Sequence, residues 1–308
     1  MRVWHIEVVV LAIFFLFGLI VGSFLNVCIC RIPERESIVT PGSHCPVCNK
    51  PIRPYDNIPV LSWILLRGKC RDCGTKISPM YPAIELLTGL LFAASYAAFG
   101  LTIPTFKWIL FSCLMVVLAV TDYRTRLLPD AVTWPGFGMG LVFSAVAPPR
   151  DGAAQWIVTR VWQGHVPQTA LGVLDALLGA AFGSLILWGA GRIYLAARKR
   201  EGMGMGDVKM MAMAGAFLGL RATFLVILFG TFLGSVIGIG VVGSLYAAGW
   251  KRTVAERANR RGLGSVSALR CVLASQYQLP LGTFLGIAAV LVVFLFQPPI
   301  LYKLMALR

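Results

Sequence analysis

Apolar residues run along this chain in long blocks, and polar residues gather between them. About 20 apolar residues in helical form cross a bilayer. Blocks of this kind occupy 8–30, 82–103, 106–121, 131–148, 171–192, 208–220, 222–248 and 280–297. They predict an all-α polytopic membrane protein with about eight transmembrane helices. The block 208–220 is short and 222–248 is long, so their boundary at Leu220–Arg221 is the weakest break in the pattern. Reading through it leaves seven spans. The first block follows only Arg2 and Glu7 among charged residues and is too long for a signal-peptide core, so it predicts a retained helix and not a signal peptide. Residues 149–170 carry turn formers and predict an outer loop, with Trp156 and Trp162 at the membrane interface.

Composition agrees with the pattern. The chain is 57% hydrophobic and only 13% charged, against roughly 25% charged in a soluble domain. A net charge of +15 raises the question of nucleic acid, which needs the charge on one soluble face. Here the basic residues are scattered among loops between apolar blocks, which excludes a nucleic-acid partner and fits topogenic charge. With the N-terminus outside, most of the 28 Lys and Arg residues fall in the loops Arg31–Lys76, Arg124–Arg126, Arg192–Lys209 and Lys251–Arg270. Basic loops stay in the cytoplasm, so these loops define the inner side.

The first inner loop contains CPVC at 45–48 and CRDC at 70–73. Two Cys-x2-Cys pairs supply four thiolates for a tetrahedral zinc ion. A complete cysteine set leaves no open position, so the predicted zinc is structural, bound by Cys45, Cys48, Cys70 and Cys73. Gly74 lets the chain turn back over the metal, and His44 reads as a loop residue. Disulfides do not suit a loop facing a reducing cytoplasm. Cys28, Cys30, Cys113 and Cys271 lie in or near apolar blocks and read as small apolar residues.

Among the 13 acidic residues, two sit at one predicted depth on the inner side. Asp122 ends the block 106–121, and Asp207 lies in GMGMGDVKM at 202–210. Carboxylates beside hydrocarbon are costly and point to function. Two of them at one depth can share a proton and activate water. Asp207 is also suited to cap the helix that starts there, whereas Asp122 sits at a helix C-terminus, where the macrodipole opposes a carboxylate. The helix ends thus predict Asp207 as the anion of the pair and Asp122 as the holder of the proton. Asp130 follows Pro129 and reads as a helix cap, Asp175 as structural or capping, and Glu85 as a cap or the lining of a polar cavity.

These segments carry a family resemblance. GMGMGDVK at 202–209 resembles the GxGD motif of the type IV prepilin peptidases, intramembrane aspartyl proteases. DYRTRLLPD at 122–130 resembles that family's first aspartate segment. GSFLNVCICRIP at 22–33 and DNIPVLSWILLRGKCRDCGTKISPMYPAIELLTG at 56–89 are similar to the N-terminal domain of its bifunctional members. The resemblance implies a division into a first membrane helix (1–30), a cytoplasmic zinc-binding loop domain (31–81), a second membrane helix (82–105) and a protease core (106–308). It implies Asp122 and Asp207 as catalytic residues, in a multi-pass protein of the bacterial inner membrane with its active site facing the cytoplasm. It implies cleavage of the basic leader from prepilins or pseudopilins, and methylation of the new N-terminus from S-adenosyl-L-methionine.

Gly202, Gly204 and Gly206 remove side chains beside Asp207 and leave room for a substrate backbone, with Lys209 at the same approach. No glycine-rich nucleotide fingerprint follows a predicted strand, so the methyl donor binds in another way. The resemblance offers Gly22, Asn26 and Glu85 for it, against packing and capping roles. The competing reading is a transporter or secretion-assembly scaffold with a structural zinc loop, although transporters often show inverted repeats and none is visible.

Overall fold

The structure, a computed structural model, describes residues 2–149, 152–161, 166–199, 204–245 and 280–296. Each apolar block is a helix: α1 (Arg2–Arg31), α3 (Met80–Phe99), α4 (Ile103–Thr125), α5 (Asp130–Val146), α7 (Gln168–Arg198), α8 (Met205–Leu218), α9 (Leu220–Leu245) and α10 (Leu281–Phe296). The short α2 (Leu61–Leu65) and a 3-10 turn at Pro54–Asn57 lie in the polar segment between α1 and α3. Among the described residues there is no strand. Among the described residues, five helical stretches are long and apolar enough to cross a membrane: His5–Arg31, Met80–Phe99, Ile103–Thr125, Gln168–Arg198 and Leu220–Val241. The helix α10 is apolar but shorter, and α5 with 17 residues and α8 with 14 fall below the usual spanning length.

Several helix ends lie a few residues from the block ends, and two further differences concern the α8–α9 break and the 149–170 segment. The break between α8 and α9 falls at Gly219 and not at Leu220–Arg221. Gly219 takes φ 81°, a left-handed value that costs glycine little, and its N–H closes on Gly215 O. The predicted loop at 149–170 contains a further helix, α6 (Ala153–Val161). Asp175 of α7 is buried and accepts the Ala154 N–H at 2.6 Å, so it caps α6 in keeping with its predicted role. Trp156 is exposed on α6, and Trp162 lies outside the described residues.

The centre of the fold is α8. Met210, Met211 and every residue from Met213 to Leu218 are buried. A helix that is apolar all round needs protein on every side, and α4, α5, α7, α9 and α10 supply it. Phe217 packs on Phe111 of α4 and Phe143 of α5. Against α7 the contact is backbone on backbone: a Cβ on Gly215 would lie 2.2 Å from Gly179 O. Such close approach is how membrane helices gain packing energy without a hydrophobic drive between them. The helix α1 meets α3 in the same manner, since a Cβ on Gly18 would lie 2.8 Å from Gly89 Cα. The other face of α1 exposes Val8, Val9, Ile13, Phe17 and Ile20, as a lipid-facing surface would.

The apolar pattern gives no sign of Lys107, which is fully buried in α4. Its ammonium donates to Ala147 O at 3.0 Å and to Ser144 Oγ at 3.3 Å, at the end of α5. A cation there satisfies the helix's terminal carbonyl and matches the negative end of its dipole.

Candidate active site

The helix α4 ends with Arg126 in a left-handed conformation, its N–H on Asp122 O, which places Asp122 in the last turn. Asp122 is buried, with 6% of its surface exposed. The turn that follows runs through Leu128 and Pro129 into α5. The helix α8 begins beside this turn. Gly204 is its N-cap residue, and Asp207 is the third helical residue, half-buried. No side-chain cap bond forms at this end, so Asp207 is not the predicted cap.

What brings the two carboxylates together is α10. A Cβ on Gly282, in its first turn, would lie 2.9 Å from Asp207 Oδ1 and 3.0 Å from Asp122 Oδ2. A single methyl group would therefore touch both, so the two carboxylates face one gap that glycine keeps open. The next residue, Thr283, donates its N–H to Asp122 Oδ2 at 2.8 Å, and its hydroxyl lies 3.1 Å from the same oxygen. Asp122 ends its own helix but meets the positive end of α10, while Asp207 lies at the positive end of α8. Both carboxylates thus face helix N-termini, and the dipole argument that separated them in the sequence no longer does. Neither Gly282 nor Thr283 was singled out from the sequence. The only mark was a glycine in the first turn of an apolar block, and a chain that long gives no hint of which block closes on the dyad.

The glycines of the Asp207 segment serve different ends. A Cβ on Gly206 would lie 2.9 Å from Leu128 Cβ, so Gly206 seats α8 against the α4–α5 turn. Gly204 lies in the open, beside Asp207 Oδ2, and Gly202 falls outside the described residues. Lys209, predicted at the substrate approach, donates to both oxygens of Asp130 at 2.8 Å. Asp130 is the first residue of α5 and makes no cap bond, so its predicted capping role gives way to this ion pair. Two contacts, Gly206 on Leu128 and Lys209 on Asp130, hold the start of α8 against the turn after Asp122.

At the same end of the bundle, Arg124 of α4 reaches α1 and donates to Cys30 Sγ at 3.1 Å, with Tyr81 Oη 3.6 Å from that sulfur. Cys30 is therefore a polar link between α1, α3 and the dyad helix, and not the small apolar residue its position suggested. Cys28 and Cys113 are free thiols, the former buried, and Cys271 lies outside the described residues.

The residues offered for a methyl donor also meet here. Gly22 lies against Glu85, where a Cβ would come within 2.7 Å of the Glu85 Cα. Glu85 is buried and accepts the Val60 N–H at 2.7 Å, and Asn26 Nδ2 donates to Tyr81 O at 3.1 Å. These contacts make the three residues a seam between α1, α3 and the polar loop.

In that loop the four predicted thiols converge. The Sγ atoms of Cys45, Cys48, Cys70 and Cys73 lie within 4.8 Å of one another, with Cys45 and Cys73 3.8 Å apart. Tetrahedral zinc with bonds of about 2.3 Å sets its sulfurs about 3.8 Å apart, so the donor set fits that ion. The two pairs share one turn. Asn49 N–H closes on Cys45 O at 2.9 Å and Gly74 N–H on Cys70 O at 3.0 Å, each residue with positive φ. Asn49, which tolerates the left-handed region, is the counterpart of Gly74 in the first pair. The backbone N–H groups of Cys48 and Val47 stabilise the Cys45 thiolate and bring its pKa down to about 6. Lys50 of one pair bonds Asp72 of the other at 3.2 Å, and Arg71 grips Asp56 in the 3-10 turn through two nitrogens. His44 bonds Gly42 O and takes no part in the cluster.

Known proteins divide the chain along the same line. A model of the bacterial peptidase A24 N-terminal domain matches residues 16–99, which hold the cysteine cluster. A model of the type IV leader peptidase family matches residues 109–239, which hold both aspartates. The chain is 41% identical over 225 residues to a prepilin leader peptidase/N-methyltransferase of Myxococcus xanthus (strain DK1622), covering 73% of this chain and 61% of that relative. It is 36% identical over 253 residues to a protein of the same name from Aeromonas salmonicida (strain A449), covering 74% of this chain and 80% of the relative. It is also 36% identical over 232 residues to one from Bacillus subtilis (strain 168), covering 75% and 83%. No solved structure matches it significantly. With relatives 36–41% identical across 73–75% of the chain, two of them covered to 80% and 83% of their own length, the chain belongs to the type IV leader peptidase family.

Proposed function

We propose that this chain is a membrane-embedded aspartyl endopeptidase that removes the basic leader from prepilins or pseudopilins and methylates the new N-terminus. The observation that carries the protease reading is the convergence of Asp122 and Asp207 on the gap at Gly282. Peptide hydrolysis needs one carboxylate to take a proton from water and one carboxylic acid to give a proton to the substrate. Two carboxyl groups sharing one proton supply both. The water oxygen bonds to the scissile carbonyl carbon, the carbon–nitrogen bond breaks, and the departing nitrogen takes a proton. Gly282 keeps room for the water, and Gly204 leaves an unobstructed side to the Asp207 carboxylate. Lys209 supports this approach indirectly, by holding the start of α8 through Asp130.

The names of the relatives support the methyl transfer and the prepilin substrate. S-adenosyl-L-methionine would supply the methyl group. Gly22, Asn26 and Glu85 are the residues offered for that donor, and their contacts also hold α1, α3 and the Val60 turn together. Zinc is the metal proposed for the four cysteines, in a structural role within the loop domain at 31–81 that lies between the membrane helices 1–30 and 82–105. The protease core is assigned to 106–308. The basic loops support a bacterial inner-membrane location with the dyad on the cytoplasmic side. Family membership leaves the transporter or scaffold reading without support.

The test is direct. The purified protein in detergent or liposomes is given a prepilin with its leader intact, and the product is read by mass spectrometry. The expected product lacks the leader and, when S-adenosyl-L-methionine is present, carries one N-terminal methyl group. Recovery of unchanged substrate from folded protein would overturn the proposal.

A further inference from the structure

The Thr283 hydroxyl has two neighbours that both accept. Its oxygen lies 3.1 Å from Asp122 Oδ2 and 2.9 Å from Ala119 O of α4. A hydroxyl has one proton to donate and lone pairs to accept with, so it serves one of these neighbours at a time. The Thr283 N–H, fixed by the backbone, stays on Asp122 Oδ2 at 2.8 Å in either case. Thr283 lies beyond residues 109–239, the region of the peptidase family match.

We infer that Thr283 is a positioning residue whose hydroxyl follows the proton of Asp122 through the catalytic cycle. When Asp122 is ionised, the hydroxyl donates to its carboxylate. When Asp122 carries the proton on Oδ2, that proton is donated to Thr283 Oγ and the hydroxyl turns its own hydrogen to Ala119 O. The switch is a rotation about one bond. Thr283 neither gains nor loses a proton, and Asp122 keeps a hydrogen bond in both states. A dyad must pass through both states in each turnover, because the carboxylate that takes a proton from water must later give one up. A residue able to donate only would favour one state and slow passage to the other. The backbone N–H keeps Asp122 in one rotamer while this happens, so the gap at Gly282 does not close.

The inference rests on the dyad reading, and its test separates the two. Leader cleavage of a prepilin is followed with parent protein, Asp122→Asn, Thr283→Val and Thr283→Ser, each in liposomes. Valine keeps the branched shape and the backbone N–H but removes the hydroxyl. A lost hydrogen bond to a charged group corresponds to roughly 10- to 100-fold in rate. Thr283→Val is expected to lose about that much in kcat, with KM within about threefold of the parent, because the bond does not touch the substrate. Thr283→Ser keeps the donor and acceptor and is expected within about threefold of the parent in both constants. Thermal unfolding of all variants is measured beside the kinetics. Valine activity within about threefold of the parent would overturn the inference, as would a serine variant no better than valine, or a valine loss that lies in KM. If the parent cleaves and Asp122→Asn does not, the dyad reading stands whatever Thr283 shows. If Asp122→Asn cleaves normally, both fail.

Discussion

Replacing Gly282 by alanine adds one methyl group at the point where the two carboxylates face each other. The added carbon would lie 2.9 Å from Asp207 Oδ1, 3.0 Å from Asp122 Oδ2 and 3.1 Å from Asp122 Cγ. These contacts are a few tenths of an ångström too short, so something must move. Asp122 cannot turn away freely, because Thr283, the residue after the substitution, holds its Oδ2 through the backbone N–H. Asp207 or the start of α10 must therefore give way, and the methyl group takes space that a water would use. Insertion of a methyl into a packed site costs about 1–3 kcal/mol, less than the roughly 5–15 kcal/mol by which native domains are stable. The effect on rate is larger, because misplacement of a reacting group by about 1 Å costs about 100-fold. Gly282→Ala is thus expected to fold, to insert at normal levels and to lose about 100-fold in kcat for leader cleavage. Gly286→Ala is the matched control. It lies one turn further along α10, and its methyl would meet Ala119 Cβ at 3.0 Å and no carboxylate. It is expected to lose less than about fivefold, a change within what repacking alone explains. The assay is prepilin cleavage in liposomes with kcat and KM determined separately, beside a thermal unfolding curve. If Gly282→Ala keeps kcat within threefold of the parent, or loses no more than Gly286→Ala, the gap at Gly282 is not where the chemistry occurs.

Two further outcomes follow from the geometry. The protein is expected to hold about one zinc per chain, and Cys45→Ser or Cys73→Ser to lower that content in elemental analysis, while leader cleavage survives in part because the aspartates use no metal; metal-free parent protein from a zinc-supplemented preparation would contradict the assignment. Asp130→Asn breaks the bond to Lys209, an ion pair with side chains 56% and 32% exposed and so worth about 0–1 kcal/mol. Its cleavage rate is expected within about fivefold of the parent, and loss as deep as that of Asp122→Asn would bring Asp130 into the chemistry.

The parts of this molecule legible in the sequence are those whose signal is local. Apolar blocks announced the helices because spanning needs length and hydrocarbon, both of which can be counted. The four cysteines announced their cluster because each pair closes over its own short turn. Asp122 and Asp207 stood out because a carboxylate beside an apolar block is rare and costly. What escaped depends on contacts between distant elements. Gly282 and Thr283 meet Asp122 across more than half the chain, and nothing in α10 itself marks it as part of the site. In the sequence Lys209 suits a substrate approach and Asp130 a cap, since neither position by itself shows that the two pair. Cys30 resembled an apolar filler until Arg124 was placed beside it. Gly22 and Glu85 suit either a packing or a cofactor role from the sequence, and only the fold shows how closely α1 approaches α3 at this point.

The central claim is that Asp122 and Asp207 form one catalytic pair. It is tested most directly by leader cleavage with Asp122→Asn and Asp207→Asn, each in parallel with the parent at matched amounts of folded, membrane-inserted protein. Asparagine keeps the size and hydrogen-bonding shape of the side chain but can neither take a proton from water nor return one. The account predicts that each single variant loses cleavage by several powers of ten, that the double variant is no worse than either single, as for groups acting as a unit, and that zinc content is unchanged in all three. Cleavage at the parent rate by either single variant would contradict it.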